Sequence, residues 1–310
     1  MIEKPTTFIV GAGASAAYGL PTGGTLLDKA RRIQPGDPVY ALLHNCGTPV
    51  ETVNEFTTDI TRHPALSIDA YLESRQEEKF ASRMRIGRQV IAILMANAIK
   101  QLAVPVRDRG ATHDDWLGYI FERMREDAAT WEQFQRGNAD VRFVTFNFDT
   151  TIEDHFRAKL QAIYQGTAIP KDAVSVVHVH GALPTPPAQY LNVAIRGGVP
   201  GEWLTWVPMA ADQIRVVLDQ IDDDVLAEVR DAIIRARVIC FLGFGYAREN
   251  LKKLGIPDAV VNTRPAIFGS AFDLRPGEQA RVMGMIGQEL KLGPEDVKCL
   301  DTLRLFHVFR

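Results

Sequence analysis

The stretch TTFIVGAGASAAYGLPTG, Thr6–Gly23, runs from a strand-like apolar segment directly into a glycine-rich turn. Gly11 and Gly13 follow the apolar residues at once, and Ala16 completes a relaxed G-x-G-x-x-G/A pattern. A turn of this kind between a strand and a helix lets backbone N–H groups approach a phosphate. Alone the pattern is weak, because glycine pairs also form plain tight turns. A P-loop is excluded, since no Gly-Lys-Ser/Thr follows.

Five short runs share the composition of buried strands: residues 6–10, 141–146, 175–179, 237–242 and 265–268. Each is rich in Val, Ile, Phe or Thr and apolar on both faces, which is typical of central strands in a parallel sheet covered by helices. The sequence therefore predicts an α/β fold, a Rossmann-like doubly wound parallel sheet with ligands at the carboxyl ends of its strands. A sixth, more alternating run at 303–309 is predicted as an edge strand.

Between the first two runs lies a long segment with almost no strand signal. We predict a helical insertion or subdomain over 34–136, with helices beginning after Ser67 and covering 85–102 and 114–125. The chain, 1–310, is predicted as a single domain built around one sheet.

Composition excludes several classes of function. Of 310 residues, 46% are hydrophobic and 24% charged, as in ordinary globular enzymes. With 35 basic and 38 acidic side chains the net charge is −3, so direct nucleic-acid binding is not expected. Cys46, Cys240 and Cys299 are too few and too widely spaced for a disulfide framework or a four-cysteine zinc site, and we predict no metal. No leader-like start and no apolar run of the ~20 residues of a membrane span are present, so a cytoplasmic location without membrane contact is expected.

Two later turns carry polar side chains. The second run ends in TFNFD, which places Asn147 and Asp149 together, either to serve a ligand or to cap the following helix. The third run ends in HVHG, where period two puts His178 and His180 on one face. We predict that His178 is a core residue and that His180, at the tip beside a glycine, is a general base. A metal site is disfavoured because no third ligand is nearby.

The fourth run ends in a second glycine turn, LGFGYAREN. Gly243 and Gly245 either allow backbone amides to approach a phosphate or ribose, or simply form a tight turn. A Rossmann-type dehydrogenase would also need a second strand ending in Asp or Glu about 20 residues after the first glycine turn. The sequence there reads RRIQPGDPVYALLHNC and holds no such strand, which disfavours redox chemistry.

Taken together and in this order, the turns GAGAS, TFNFD, HVHG and GFG resemble those of the sirtuin family over residues 6–270. The resemblance implies that the first turn holds the pyrophosphate of NAD, that Asn147 and Asp149 serve the nicotinamide ribose pocket, and that the fourth turn binds the adenosine side. Carried over by position, the catalytic residues are Asn147, Asp149 and His180, and the cofactor-binding residues are Gly11, Ala12, Gly13, Ser15, Thr22, Asn147, Asp149, Gly243, Gly245 and Asn250.

Three departures separate this sequence from protein-deacetylating sirtuins. Their zinc module uses two CxxC pairs that are absent here, their cofactor loop reads close to GIPDFR where this chain has GLPTGG, and they lack the long helical insertion. The departures point toward bacterial sirtuin-like NAD hydrolases of anti-phage defence. We therefore predict an NAD glycohydrolase (NADase) with NAD as substrate. The alternatives are a zinc-free protein deacylase or ADP-ribosyltransferase, and a non-catalytic NAD or ADP-ribose sensing module.

The expected chemistry is cleavage of the bond between nicotinamide and ribose through an oxocarbenium-like transition state. Asp149 is predicted to stabilise positive charge or hold the carboxamide, Asn147 to orient a water, and His180 to act as base. Asn147 and His180 are both expected at strand tips, where truncation leaves no large cavity. Changing either residue to Ala should therefore stop turnover while changing the free energy of unfolding by ~1 kcal/mol or less.

Uncontrolled NAD hydrolysis would kill the host, so regulation is expected. We predict a homo-oligomer, with apolar stripes within 68–124 as a contact surface, and a separate activating protein such as a nuclease, an Argonaute-like protein or a DNA-translocating ATPase. The Pro- and Gly-rich segment 184–206 is predicted as a flap over the nicotinamide end, with Trp203 and Trp206 as its anchors or as core residues.

Overall fold

A computed structural model of the protein describes residues 2–75, 77–102, 114–188, 200–216, 219–256, 264–287 and 289–309. The strands in chain order are β1 (Thr6–Val10), β2 (Val141–Thr145), β3 (Ser175–His178), β4 (Val238–Leu242), β5 (Ala266–Gly269) and β6 (Leu290–Leu292). The helices are α1 (Ala12–Ala16), α2 (Gly23–Arg31), α3 (Pro38–Asn45), α4 (Val50–Arg62), α5 (Ile68–Glu73), α6 (Ala81–Leu102), α7 (Trp116–Arg125), α8 (Trp131–Gly137), α9 (Thr151–Ile163), α10 (Gly201–Gln213), α11 (Asp223–Arg235), α12 (Arg248–Lys253), α13 (Pro276–Ile286) and α14 (Cys299–Leu305), with a 3₁₀ turn at Glu78–Phe80.

All six strands form one parallel sheet in the order β3-β2-β1-β4-β5-β6. β1 lies at the centre, and its Thr6 is in register with Val141 of β2 and Val238 of β4. This is the strand order of dinucleotide-binding α/β proteins, and its direction reverses between β1 and β4. The predicted α/β, Rossmann-like doubly wound fold is confirmed.

The sheet has a core on each face, which explains why its central strands are apolar throughout. Every residue of β1 and of β4 is buried. Because successive side chains point to opposite faces, Phe8 packs with Phe143 and Phe156 on one side, while Ile9 packs with Val144 and Phe241 on the other.

Five strand predictions are confirmed to within one or two residues, and the sixth is wrong. The run 303–309 begins in helix α14, where Leu300 and Leu303 lie three residues apart and are both buried. The sixth strand is β6, whose three residues Leu-Lys-Leu are too short to show a pattern in the sequence.

The chain divides into two compact units. Unit 1 comprises residues 1–18, 111–179 and 221–310 and contains the sheet; unit 2 comprises residues 19–110 and 180–220. The predicted insertion, 34–136, has different limits from unit 2, because α7 and α8 contribute Trp116, Phe121 and Phe134 to a core of the sheet.

Unit 2 is helical within the described residues, and α6 packs against α10. The predicted helix after Ser67 is confirmed as α5, whose first turn is capped by the Ser67 hydroxyl. Arg75 donates two hydrogen bonds to Asp59 of α4 and so ties the chain after α5 to that helix. No helix among the described residues combines the length and the apolar character that crossing a membrane requires.

The predicted flap, 184–206, lies only partly within the described residues, since 189–199 fall outside them. From Gly201 onward the chain is helix α10. Trp203 and Trp206 of this helix are buried and contact each other edge to face, and the Trp206 indole donates to the Thr185 carbonyl. Of the two roles predicted for these tryptophans, flap anchor or core residue, their burial supports the core role.

The two glycine turns of unit 1 cross at backbone contact. Gly11 N–H donates to the Leu242 carbonyl and Gly13 N–H to the Gly243 carbonyl, each at 3.0 Å. Gly243 has φ +56°, and a Cβ there would lie 1.9 Å from the amide nitrogen of Ala14. A Cβ on Gly11 would lie 2.6 Å from the Gly243 oxygen. Only glycine allows this crossing, which fixes the end of β1 to the end of β4.

We expect Gly243→Ala to destabilise the protein by about 3 kcal/mol or more, because the new methyl group collides with backbone and the residue has a left-handed conformation. Gly284→Ala is the matched control. Gly284 lies in α13 with open space around its Cβ position, so that change should stabilise by about 0.5–1 kcal/mol. Urea unfolding measures both, and equal stability of the two variants would contradict the crossing.

A polar cluster joins the chain after α1 to α7 and α9. The Tyr18 hydroxyl donates to Asp115 and accepts from the Leu117 amide, while the Trp116 indole donates to the Ala14 carbonyl. The His155 ring lies 6.2 Å from the Tyr18 ring, and within the described residues its Nε2 has no hydrogen-bond partner. Burial, with the nearby Lys159 charge, lowers the pKa of His155 to about 4.

His155 is therefore expected to destabilise the fold in acid. The pKa of His155 in the folded protein lies below the ordinary 6.5, so the unfolded chain binds this proton more readily than the folded protein does. The free energy of unfolding is therefore unaffected by His155 above pH 6.5 and falls as the pH is lowered toward 4. Between pH 8 and 5 the loss should reach about 2 kcal/mol. In His155→Gln, the free energy of unfolding should depend less on pH over this range. Parallel pH curves for the two proteins would refute the assignment.

Candidate functional site

The carboxyl ends of β1, β2 and β4 gather the polar residues predicted to be functional. In a sheet of this topology ligands bind outside these ends, where the strand order reverses. β1 continues into α1, β2 into the turn that carries Asn147 and Asp149, and β4 into the turn that carries Gly243 and Gly245. All of these segments belong to unit 1.

Asn147 is the centre of this arrangement. Its side chain is buried, and its amide nitrogen donates to the Gly11 carbonyl at 3.2 Å and to the Ser15 hydroxyl at 2.8 Å. Both amide hydrogens are thus engaged, which fixes the orientation of the group. The remaining atom, Oδ1, is a buried acceptor that has no partner among the described residues. Such an acceptor is satisfied by a water or by a ligand hydroxyl or amide.

The capping alternative for these residues holds only for Asp149. Its Oδ1 accepts from the Thr151 amide at the start of α9 and from the Ser15 hydroxyl, both at 3.2 Å. Asn147 makes no hydrogen bond to α9 through its side chain within the described contacts, so it is not a cap.

Burial raises the pKa of Asp149, while the donors Thr151 and Ser15 and the His178 charge oppose the rise. The ionised form of this carboxyl is consequently costly in the free protein. A cation brought close to it would recover part of that cost.

His178 is joined to the same network, beyond its predicted role as a core residue. Its Nδ1 lies 3.1 Å from the Asn147 carbonyl oxygen, and its Nε2 lies 2.7 Å from Glu153 Oε1 on α9. Burial lowers the pKa of His178, but the hydrogen bond and charge of Glu153 outweigh it and the net pKa is raised. No sequence pattern indicates this pair, because Glu153 precedes His178 by 25 residues and lies on another element.

Two N–H groups of the glycine turn that is predicted to bind phosphate are engaged within the protein. The N–H groups of Gly11 and Gly13 both donate to carbonyls of the β4 turn. These bonds make the turn crossing, and phosphate binding by Gly11 and Gly13 stays a prediction. Ser15 is buried and links Asn147 to Asp149, and Ala12 is the first residue of α1.

The β4 turn places its two glycines in different surroundings. Gly243 lies at the crossing, and its amide donates to the Ser270 hydroxyl. Gly245 is exposed, with open space around its Cβ position. Asn250 lies in α12 with a buried Oδ1 that has no partner in the described part of the chain. Gly245 and Asn250 remain predicted cofactor contacts.

Two predicted residues fall in unit 2. Thr22 is the N-cap of α2 and accepts from the Thr25 amide. His180 is buried, and its carbonyl accepts from the Arg215 amide. The next residue, Gly181, has φ +79°, and a Cβ there would lie 2.3 Å from the Gln213 carbonyl oxygen, so the turn requires glycine. The described residues contain no group of three or more His, Cys, Asp or Glu arranged to hold a metal.

Comparison with protein-family models and with curated proteins gives no match. Among solved structures, the chain is similar to one described as the structure of Sir2Tm bound to a propionylated peptide, over 97% of this chain and 92% of that one, with 12% sequence identity and a TM-score of 0.39. A TM-score this low does not establish a shared fold. The fold assignment rests on the strand order and register of the sheet itself.

We expect Asn147→Ala to cost about 1–3 kcal/mol, because it removes two buried hydrogen bonds, one to the Gly11 carbonyl and one to the Ser15 hydroxyl. This exceeds the ~1 kcal/mol anticipated for a strand-tip residue. Asn138→Ala is the matched control: Asn138 is buried, donates to the Met124 and Phe134 carbonyls and has an unpartnered Oδ1 among the described residues. Thermal and urea unfolding should give similar losses. An unchanged Asn147→Ala protein would show that its amide bonds contribute nothing.

Proposed function

We propose that this protein hydrolyses NAD at the bond between nicotinamide and ribose, releasing nicotinamide and ADP-ribose. The observation that carries the proposal is the fixed, buried Asn147 amide, whose Oδ1 faces no protein donor among the described residues. It lies at the carboxyl edge of a sheet with the strand order of dinucleotide-binding proteins. A ribose hydroxyl, a carboxamide N–H or the attacking water supplies the donor that this oxygen needs.

The charge around Asn147 supports a cationic ligand. Asp149 and Glu153 are two carboxyl groups, and His178 is the only basic group hydrogen-bonded to either among the described contacts. With all three ionised, this group carries a net charge of −1. The nicotinamide ring of NAD is positively charged, and the charge moves toward the ribose as the bond breaks. Asp149 would stabilise that charge, which is worth most where water is excluded.

His180 is proposed as the general base for the attacking water. It is a buried histidine that lies two residues beyond the end of β3 and is followed by an obligatory glycine. Histidine is the residue type that most often acts as a general base in enzymes. The proposal assigns Asn147 to water or ribose orientation and His180 to proton removal.

The resemblance of the four turns extends the proposal to biology: an effector of anti-phage defence that depletes NAD. Continuous hydrolysis would deplete the cell, so we include control by self-assembly or by a separate activating protein. The apolar residues of α6 give self-assembly no support, since Val90, Ile91, Ile93 and Met95 are all buried.

The test is chromatography of NAD incubated with concentrated protein, with and without acetylated peptide. We expect nicotinamide and ADP-ribose in both cases. His180→Ala should lower the rate by about 10²–10⁴-fold, the usual value of general-base help. Asn147→Ala should lose activity, whereas Asn138→Ala, with a similar loss of stability, should keep its rate per folded molecule. Products limited to deacetylated peptide and acylated ADP-ribose would favour the deacylase alternative and refute hydrolysis.

A further inference from the structure

The imidazole of His178 is bonded on both sides by acceptors. Nδ1 lies 3.1 Å from the backbone carbonyl of Asn147, and Nε2 lies 2.7 Å from Glu153 Oε1. A carbonyl has no proton to give, so Nδ1 must carry the hydrogen of the first bond. The second bond needs a proton between Nε2 and the carboxylate. Both bonds exist together only while the pair His178–Glu153 holds two protons in all.

Loss of one proton breaks this arrangement. A neutral imidazole has one N–H, so only one of its two nitrogens can donate. The other nitrogen then presents a lone pair to an acceptor, which is either the Glu153 carboxylate or the Asn147 carbonyl. The bond to a carboxylate is the stronger of the two because it is charge-assisted. The remaining hydrogen therefore stays on Nε2, and the Asn147 carbonyl loses its donor.

That carbonyl belongs to the residue whose side chain is fixed between Gly11 and Ser15. The Asn147 amide N–H donates to Thr145 Oγ1 at 3.1 Å, so its backbone is held on one side by β2 and on the other by His178 of β3. Releasing the carbonyl removes the hydrogen bond that holds the peptide group after Asn147, and the backbone of Asn147 sets where its side chain begins.

We propose that His178, paired with Glu153, is a positioning residue that holds the Asn147 backbone so that its side-chain oxygen faces the substrate, and that it does so only in the protonated form. The role of Asn147 toward substrate rests on the proposed NAD hydrolysis; the hydrogen-bond switch itself does not.

The charged groups around His178 favour the protonated form of its ring. Glu153 on α9 and Asp149 in the preceding turn both act on the ring with negative charge. On β2, Thr145 is in register with His178, and the nearest charged residue of that strand, Arg142, forms an ion pair with Asp231 of α11, the helix packed on β3. Asp231 is also bonded to Arg235. The net effect is a pKa of His178 above its ordinary value, so the switch operates on the alkaline side of 6.5.

The first experiment needs no NAD. Nitrogen-15 NMR of the histidine rings in the free protein should show both His178 nitrogens protonated at pH 6.5. The carbonyl carbon of Asn147 should then shift with the same pKa as His178 when the pH is raised. A neutral His178 at pH 6.5, or an Asn147 carbonyl that does not respond to its titration, would overturn the proposal.

Two substitutions separate the bonds of the ring. The amide nitrogen of His178→Asn occupies the place of Nδ1 and can still donate to the Asn147 carbonyl, whereas that of His178→Gln occupies the place of Nε2 and reaches Glu153 instead. We expect His178→Gln to lower kcat for NAD hydrolysis by about 10–100-fold, as small misplacements do. His178→Asn should lose much less. Equal losses in both variants at equal folded fractions would refute a positioning role.

Glu153→Gln provides the matching test of pH. The glutamine amide can donate to a neutral Nε2, so Nδ1–H stays on the Asn147 carbonyl at every pH. We expect hydrolysis by the wild type to fall as the pH rises through the pKa of His178, and hydrolysis by Glu153→Gln to lack that fall. The same alkaline loss in both would overturn the proposal. If the wild type hydrolyses no NAD at any pH, the proposed function fails, while the carbonyl shift still decides the switch.

Discussion

The site depends on the close approach of two backbone turns. Gly243 comes so near to Gly13 and Ala14 that no side chain fits between them. The contact joins the ends of β1 and β4, which lie on either side of the point where the strand order reverses. It also sets the direction of the Gly11 carbonyl, which accepts one of the two hydrogens of the Asn147 amide. Asn147 is therefore oriented by a contact between two neighbouring strand ends.

Much of the fold follows from local pattern, and the part that does not follow depends on long-range packing. Continuous apolar runs predict β1, β2 and β4 because both faces of a central parallel strand are buried. β6 is not predicted, because an edge strand of three residues is too short to show a hydrophobic pattern. The grouping of residues 180–220 with 19–110 is not predicted either, because contacts between residues far apart in the sequence define it.

The candidate site shows the same limit. Spacing alone brings Asn147 and Asp149 to a strand end, but it does not tell whether a glycine turn faces a phosphate or another backbone. The hydrogen bonds of Gly11 and Gly13 show that this turn contacts the β4 turn, which the spacing does not reveal. Likewise, the sequence around His178 predicts only a core histidine, because it does not show the hydrogen-bond partners of the ring. Glu153 and the Asn147 carbonyl turn His178 into part of the network.

Buried polarity alone does not mark function, as two asparagines demonstrate. Asn138 and Asn147 are both buried, both donate their amide hydrogens within the chain, and both have an Oδ1 without a partner in the described residues. Asn138 precedes β2 and ties together α7 and α8, whereas Asn147 follows β2 at the carboxyl edge. Unlike Asn138, Asn147 donates to a hydroxyl that also bonds Asp149, and its carbonyl lies 3.1 Å from Nδ1 of His178; the pKa values of Asp149 and His178 are both raised.

This shared network couples charge to binding. A positive ring placed beside Asp149 would stabilise its carboxylate and, being of like charge, would also weaken the hold of His178 on its proton. The gain at Asp149 and the cost at His178 oppose each other, so the affinity for a cation should be modest. In the proposed hydrolysis, departure of neutral nicotinamide would leave the positive charge on the ribose. If that charge lay nearer to Asp149 than to His178, the site would favour the transition state over the bound substrate, which is the condition for catalysis.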